Sequence, residues 1–334
     1  MRFAALLVAM LVSGASLAQK TTPVRFALDW RFEGPAAPYL VAIDKGYYKA
    51  EGLNVTIDPG SGSVEGINRV ASGAYDVGFC DINLLVKYRD NPRNLPVKMV
   101  MMVYDTPAFS IITLKKTGIA KPKDLEGRIL GAPAGDGAWA QWPIFVQANK
   151  IDASKVRVEN IGFPVREPML AQGKVDAITG FWFSSFMNLK ATGIPPSEIV
   201  VLHMRDWGLD LYGNGIVANP DFMRFQPKAV AGFVRGTIKG IQESLRDPGG
   251  AIESVMKRNP IANRDVELER LKLSLEKNFV SPDVRKNGIG AIDQKRLERS
   301  IEQIGLTFQY ANKPKPGYIY TAQYLPPKEQ RLVK

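Results

Sequence analysis

Two reactive residue types are nearly missing from this 334-residue chain, which has one cysteine, Cys80, and one histidine, His203. A lone thiol forms no internal disulfide, so stability must come from core burial, which a chain this long supplies. A lone imidazole leaves Ser-His-Asp and Cys-His sites, and multi-histidine metal sites, with a single candidate. That excludes most hydrolase chemistry. Long apolar runs are scarce too. The one present, Phe3 to Val12, covers 10 residues, against the about 20 needed to span a ~30 Å hydrocarbon core. It follows Met1-Arg2 and leads to Ser16-Leu17-Ala18 before Gln19, the pattern of a secretory signal over 1–18. No cysteine stands at the cut to carry a lipid anchor. The expectation is an exported, freely diffusing monomer in the periplasm.

What is present is ordinary globular material: 45% hydrophobic, 23% charged and 9% aromatic residues, which excludes disorder and fibrous repeats. The length suggests two domains. The net charge of +11 invites a nucleic-acid reading. Its lysines and arginines are scattered, however, so no nucleic-acid partner is expected, only a basic exported protein with a modest bias toward anions.

The chain alternates strand and helix signals. Val24 to Leu28 reads as a strand, Tyr39 to Ile43 as a helix stopped by Gly46, and Leu53 to Ile57 as the next strand. Val64, Ile67, Val70 and Ala71 mark a helix closed by Gly73, and Asp76 to Phe79 is a strand again. The order β-α-β-α-β predicts an α/β domain with a largely parallel sheet. It then recurs: strand Leu125 to Ala132, helix Ala138 to Ala148, strand Val156 to Val158, helix Arg166 to Gln172, strand Val175 to Thr179. Ala71-Ser72-Gly73-Ala74-Tyr75-Asp76-Val77 and Ala171-Gln172-Gly173-Lys174-Val175-Asp176-Ala177 share a pattern 100 residues apart, which points to two similar lobes. Lobe one is expected over 24–106 and 218–312, and lobe two over 107–217. Asp105-Thr106-Pro107 marks one crossing and Ile216-Val217-Ala218 the return. Helices carrying Val230, Val234, Ile241 and Leu245, and later Leu297, Ile301 and Ile304, follow. The proline-rich basic tail 313–334 reads as a surface strap.

Leu28-Asp29-Trp30, Gly46-Tyr47-Tyr48-Lys49-Ala50-Glu51-Gly52-Leu53-Asn54-Val55 and Ala71 to Gly78 form an ordered set. With Asp124 to Ala132 and Leu170 to Ala177, it resembles the substrate-binding proteins of ATP-binding-cassette importers. The branch it resembles covers sulfonate-, nitrate-, taurine- and thiamine-pyrimidine-binding proteins. The resemblance spans about residues 24–220. It implies a type II periplasmic-binding-protein fold, two α/β lobes joined by a two-crossing hinge. It also implies a small-molecule ligand in the cleft, and a cognate permease and ATPase complex as partners. Two departures stand out. Thiamine-pyrimidine relatives carry Asn and His after the Leu-Asp/Asn-Trp motif, where Arg31 to Tyr39 has neither. The fungal pyrimidine synthases of this fold need a donor histidine and a cysteine-rich iron-binding segment, which Cys80 alone does not supply.

Open α/β sheets bind ligands beyond the carboxyl ends of their strands, so candidate residues are sought there. Asp29 and Trp30 offer an acceptor beside an aromatic platform, or a helix cap beside a core tryptophan; Tyr39 follows them. Ser61, Gly62 and Ser63 lead into a helix whose start favours an accepting group. Asp81 and Asn83 follow the third strand as hydrogen-bonding groups or as a cap. In the second lobe, Gly135 and Asp136 form a loop of backbone donors, and Trp182 is the aromatic chosen from Phe181-Trp182-Phe183. Asp210 and Tyr212, with Trp207 and Asn214, are candidates near the hinge. His203 lies in an apolar run and reads as a buried, satisfied side chain.

No catalytic residue, metal site or cofactor is expected, and the chain does not read as an enzyme. The aromatics near strand ends favour a flat heteroaromatic ligand, such as a pyrimidine or a flavin-like vitamin precursor. A small oxyanion (sulfonate, taurine or nitrate) remains open as the alternative, as does, from another class, a pyrimidine-synthase-like enzyme on this fold. N-terminal sequencing of the exported protein is expected to begin at Gln19; a retained Phe3 to Val12 segment contradicts the signal reading.

Overall fold

The computed structural model describes residues 21–333; the expected signal segment 1–18 lies outside them. Ten strands follow in chain order: β1 (Thr22–Ala27), β2 (Leu53–Asp58), β3 (Val77–Asp81), β4 (Lys98–Met102), β5 (Phe109–Leu114), β6 (Ile129–Ala132), β7 (Arg157–Asn160), β8 (Ala177–Phe181), β9 (Ile199–His203) and β10 (Asn214–Ala218). They build two five-stranded sheets, ordered β2-β1-β3-β10-β4 and β7-β6-β8-β5-β9. In each, four strands run in one direction, and the fourth strand in the order is antiparallel to both of its neighbours. The antiparallel members, β10 and β5, are the strands that follow a crossing, so each sheet receives its fourth strand from the far side of one. This is the mixed α/β architecture of two similar halves.

The 100-residue sequence repeat has a physical cause. Gly73 and Gly173 end their helices with φ of 76° and 72°, left-handed values that a side chain resists. Three residues later, Asp76 accepts the Arg25 N–H of β1 at 2.7 Å, and Asp176 accepts the Ile129 N–H of β6 at 2.8 Å. Each aspartate thus registers its strand against the parallel neighbour beside it, β3 against β1 and β8 against β6.

Phe26 of β1 packs edge-on against Tyr39 of the helix Ala37–Asp44 (5.2 Å between ring centres) and against Phe233 (5.1 Å). Phe233 belongs to the helix Pro227–Arg246, whose Val230, Val234 and Ile241 are buried as their spacing predicts. The segment Leu125 to Ala132 is a strand only from Ile129; Pro122–Leu125 forms a 3₁₀ turn, consistent with its proline at the first helical position. The return crossing runs through 204–213, ahead of Ile216-Val217-Ala218. Those three are the last residues of β10 and fully buried between β3 and β4. β9 is a strand that the sequence pattern did not announce. The tail is more than a surface strap: Ile319 is fully buried, Tyr320 bridges Met99 of β4, and Arg331 donates to the Ile289 carbonyl at 2.8 Å.

Asp76→Ala or Asp176→Ala leaves a strand N–H without its acceptor. Each is expected to lower stability by about 1–3 kcal/mol, read by chemical denaturation with the fold otherwise intact.

Candidate functional site

The ends of β1, β3, β6, β7 and β8 converge on one cavity between the sheets. Its walls carry Asp29, Trp30, Glu33, Tyr39, Gly62, Ser63, Phe79 and Tyr104 from the first half, and Gly135, Asp136, Phe163, Arg166, Phe181 and Phe183 from the second. Strand ends meet here because in a parallel sheet they all point one way.

Asp29 leaves β1 as the chain turns. Its carbonyl accepts the Gly62 N–H at 2.7 Å, and the Trp30 carbonyl accepts the Gly60 N–H at 3.2 Å. These bonds pin the glycine-serine loop over the start of the helix Ser63–Ala71. Gly62 has φ of 109°, and a Cβ there would lie 2.6 Å from the Gly135 carbonyl of the other half. Glycine is required where the two halves touch. Trp30 and Phe163 close the same lip, ring centres 4.7 Å apart and edge to face.

Behind this lip lies a polar cluster. Asn214 Nδ2 donates to Asp29 Oδ2 at 2.6 Å, and Ser63 Oγ accepts the Asp81 N–H at 3.0 Å. Burial pushes the Asp29 carboxyl up to about 7, against the smaller opposing pull of its Asn214 hydrogen bond. Burial likewise pushes Asp81 up to about 7. Asp136 caps the helix Gly137–Ala140 through the Ala138 N–H and accepts Thr179 Oγ1 at 2.6 Å. Glu33 pairs with Arg270 at 2.6 Å, and Arg166 with Glu167 at 2.7 Å. Two donors on the cavity wall have no partner among the described residues: the Trp30 indole N–H and the Tyr39 hydroxyl. Buried donors are normally satisfied, so these two await an acceptor.

Of the residues singled out from sequence, Asp29, Trp30, Tyr39, Gly62, Ser63, Gly135 and Asp136 line the cavity. Ser61 is exposed beside it, its N–H bonded to Glu65. Asp81 and Asn83 are buried behind the wall, where Asp81 accepts from Asn83 and from Gln141 of the other half at 3.0 Å. Trp182 turns away, donating to Asn278 Oδ1 at 3.1 Å, while its neighbours Phe181 and Phe183 face the cavity. Asp210 is exposed and paired with Arg296 and Arg299, and Tyr212 lies under the Arg296 guanidinium at 3.9 Å. Both belong to the return crossing rather than to the cavity. Phe163 and Arg166 were missed, although they follow the strand β7; searching beyond that strand as beyond the others finds them. His203 is half-buried, its Nδ1 3.3 Å from the Ser110 hydroxyl. Among the described residues no cluster of three or more His, Cys, Asp or Glu could hold a metal ion, and no helix is long and apolar enough to cross a membrane.

A family model described as NMT1/THI5 like matches residues 35–251. The chain belongs to the NMT1/THI5-like family. Relatives in and around it carry two kinds of name. The riboflavin-binding protein RibY of Chloroflexus aurantiacus is 27% identical over 80% of this chain and 75% of its own. The formylaminopyrimidine-binding protein of Halalkalibacterium halodurans is 27% identical over 76% and 77%. A 4-amino-5-hydroxymethyl-2-methylpyrimidine phosphate synthase of Uromyces fabae is 23% identical over 79% and 78%. Among solved structures, the periplasmic aliphatic sulphonate binding protein SsuA of Escherichia coli superposes with a TM-score of 0.69, covering 91% of this chain and 99% of its own at 12% identity. The periplasmic nitrate-binding protein NrtA of Synechocystis PCC 6803 also gives 0.69, covering 93% and 91% at 11% identity. At such identities the NMT1/THI5-like chain shares their fold, the periplasmic-binding-protein fold.

The Asp29 carboxyl keeps its proton to about pH 7 in the folded protein, against an ordinary value of 3.8. Its stabilising contribution is therefore complete below about pH 4 and is lost as pH rises through 7. Asp29→Asn is expected to flatten the loss of stability of the ligand-free protein between pH 5 and 8, by on the order of 2–4 kcal/mol at the upper end. Denaturant titrations across that range read the effect, and a slope equal to that of the unmodified protein contradicts it.

Proposed function

We propose that the chain is the solute-binding component of an ATP-binding-cassette importer. It captures a small, flat heteroaromatic ligand between its halves and delivers it to a membrane permease. The observation that carries this reading is the cavity itself. Seven aromatic side chains, Trp30, Tyr39, Phe79, Tyr104, Phe163, Phe181 and Phe183, surround a few polar groups and come from both halves, the composition of a site for a planar molecule. The two relatives named for riboflavin and formylaminopyrimidine bind flat nitrogen heterocycles. In this reading the sheets with their helices are two lobes, and the crossings 103–108 and 204–213 are the hinge. Closure follows ligand binding because contacts to both walls exist only when the lobes meet. The protein acts in the periplasm as a monomer, without a cofactor.

The oxyanion reading is weaker. Three carboxyl groups, Asp29, Glu33 and Asp136, line the cavity, and its one buried guanidinium, Arg166, is already paired with Glu167. The synthase reading is weaker as well: His203 lies on β9, beside Ser110 and outside the cavity wall.

Native mass spectrometry of the protein purified from its own periplasm is expected to show one bound heteroaromatic molecule. With that molecule in hand, Trp30→Ala is expected to weaken binding about tenfold or more through lost stacking, at near-normal thermal stability. A bound sulfonate or nitrate, or unchanged affinity in a folded Trp30→Ala protein, overturns the reading.

A further inference from the structure

The hydrogen-bonding inventory of the cavity goes beyond flatness and specifies the edge of the molecule. Most polar groups on the walls are already engaged. Glu33 is held by Arg270 at 2.6 Å and by the Ser184 hydroxyl at 3.3 Å. Both oxygens of Asp136 are used, one by the Ala138 N–H and one by Thr179. Arg166 spends Nε and Nη2 on Glu167 Oε1, at 2.9 and 2.7 Å.

Among the groups that remain, which include the exposed Arg31 guanidinium, three bear on the edge of the ligand. Tyr39 is 1% exposed, and its hydroxyl has no partner among the described residues. The Trp30 indole N–H is buried and unpartnered, and it can only donate. Asp29 is buried with no ion pair among the described residues, and it accepts one strong hydrogen bond, from Asn214 at 2.6 Å. A carboxyl group keeps acceptor capacity beyond one such bond whether or not it carries its proton, so it retains room for a further donor. Each of the three is costly while unmet, because a buried polar group without a partner forfeits its hydration.

We propose that the site selects an uncharged heterocycle whose edge carries an N–H beside a lone pair: the N–H donates to Asp29, and carbonyl oxygens or ring nitrogens accept from Tyr39 and Trp30. Lactam, imide and amidine edges fit. A fully N-alkylated ring has no N–H to give Asp29, and neither has a sulfonate or nitrate. This rests on the binding-protein reading above and narrows its ligand class.

The test pairs each heterocycle with its N-alkylated twin: riboflavin with 3-methylriboflavin, lumazine with 1,3-dimethyllumazine, thymine with 1,3-dimethylthymine, and 4-aminopyrimidine with 4-dimethylaminopyrimidine. Binding is read by tryptophan fluorescence and thermal shift. At least one N–H compound is expected to bind, with its alkylated twin weaker by about tenfold or more. Tyr39→Phe keeps the ring and removes only the hydroxyl; it is expected to weaken the N–H compound about three- to tenfold without lowering the melting temperature. Asp29→Asn is expected to erase the preference for the N–H twin. Equal affinity for both twins, or an unaltered preference in folded Asp29→Asn, overturns the proposal while leaving a heteroaromatic-binding protein. No binding by any of the eight compounds, together with binding of ethanesulfonate or nitrate, overturns the underlying reading as well.

Discussion

One buried amide, Asn214, ties together the parts on which the cavity depends. Its side chain donates to Asp29 at the end of β1, and its carbonyl receives the N–H groups of Val103 and Tyr104, where the chain leaves the first sheet. It sits opposite Asp81 of β3 in the strand register. Strand end, outgoing crossing and returning strand are thus fixed by one residue in a place without water. Asp29 keeps its proton to about pH 7 because that environment is dry.

The chain's positive charge does not reach this chemistry. The buried cations near the cavity, Arg166 and Arg270, are matched by Glu167 and by Glu33 with Glu267. An excess of +11 on the whole chain is therefore compatible with a site whose buried guanidinium, Arg166, is already paired and whose other arginine, Arg31, is exposed. Net charge describes solubility and encounter; the ligand meets the local inventory.

The fold was largely readable because parallel strands and their helices leave local marks. The Gly73 and Gly173 helix ends and the Asp76 and Asp176 strand ties recur as sequence because each does the same mechanical task twice. The return crossing was misplaced since β10, buried on all sides, is as apolar as a crossing through the core would be. The site was readable only in part, for two reasons. At Phe181-Trp182-Phe183 a strand gives way to a helix, so alternation no longer tells which ring faces inward; Trp182 goes to Asn278 instead. Asp210 and Tyr212 are claimed by Arg296, whose helix Gln294–Gly305 comes far later in the chain. No local pattern announces a partner that distant.

The exchange of strands between halves also bears on the order in which the chain can assemble. Every strand of the second sheet lies between Phe109 and His203, whereas the first sheet waits for Asn214 to arrive before β3 and β4 gain the neighbour between them. Loop-closure entropy opposes that late, distant pairing more than the nearer ones. The half that begins second along the chain is thus the one free to complete itself first. Until it has done so and handed the chain back, Asp29 has no Asn214 to hold it, and the first half is a sheet with a gap between β3 and its edge strand β4.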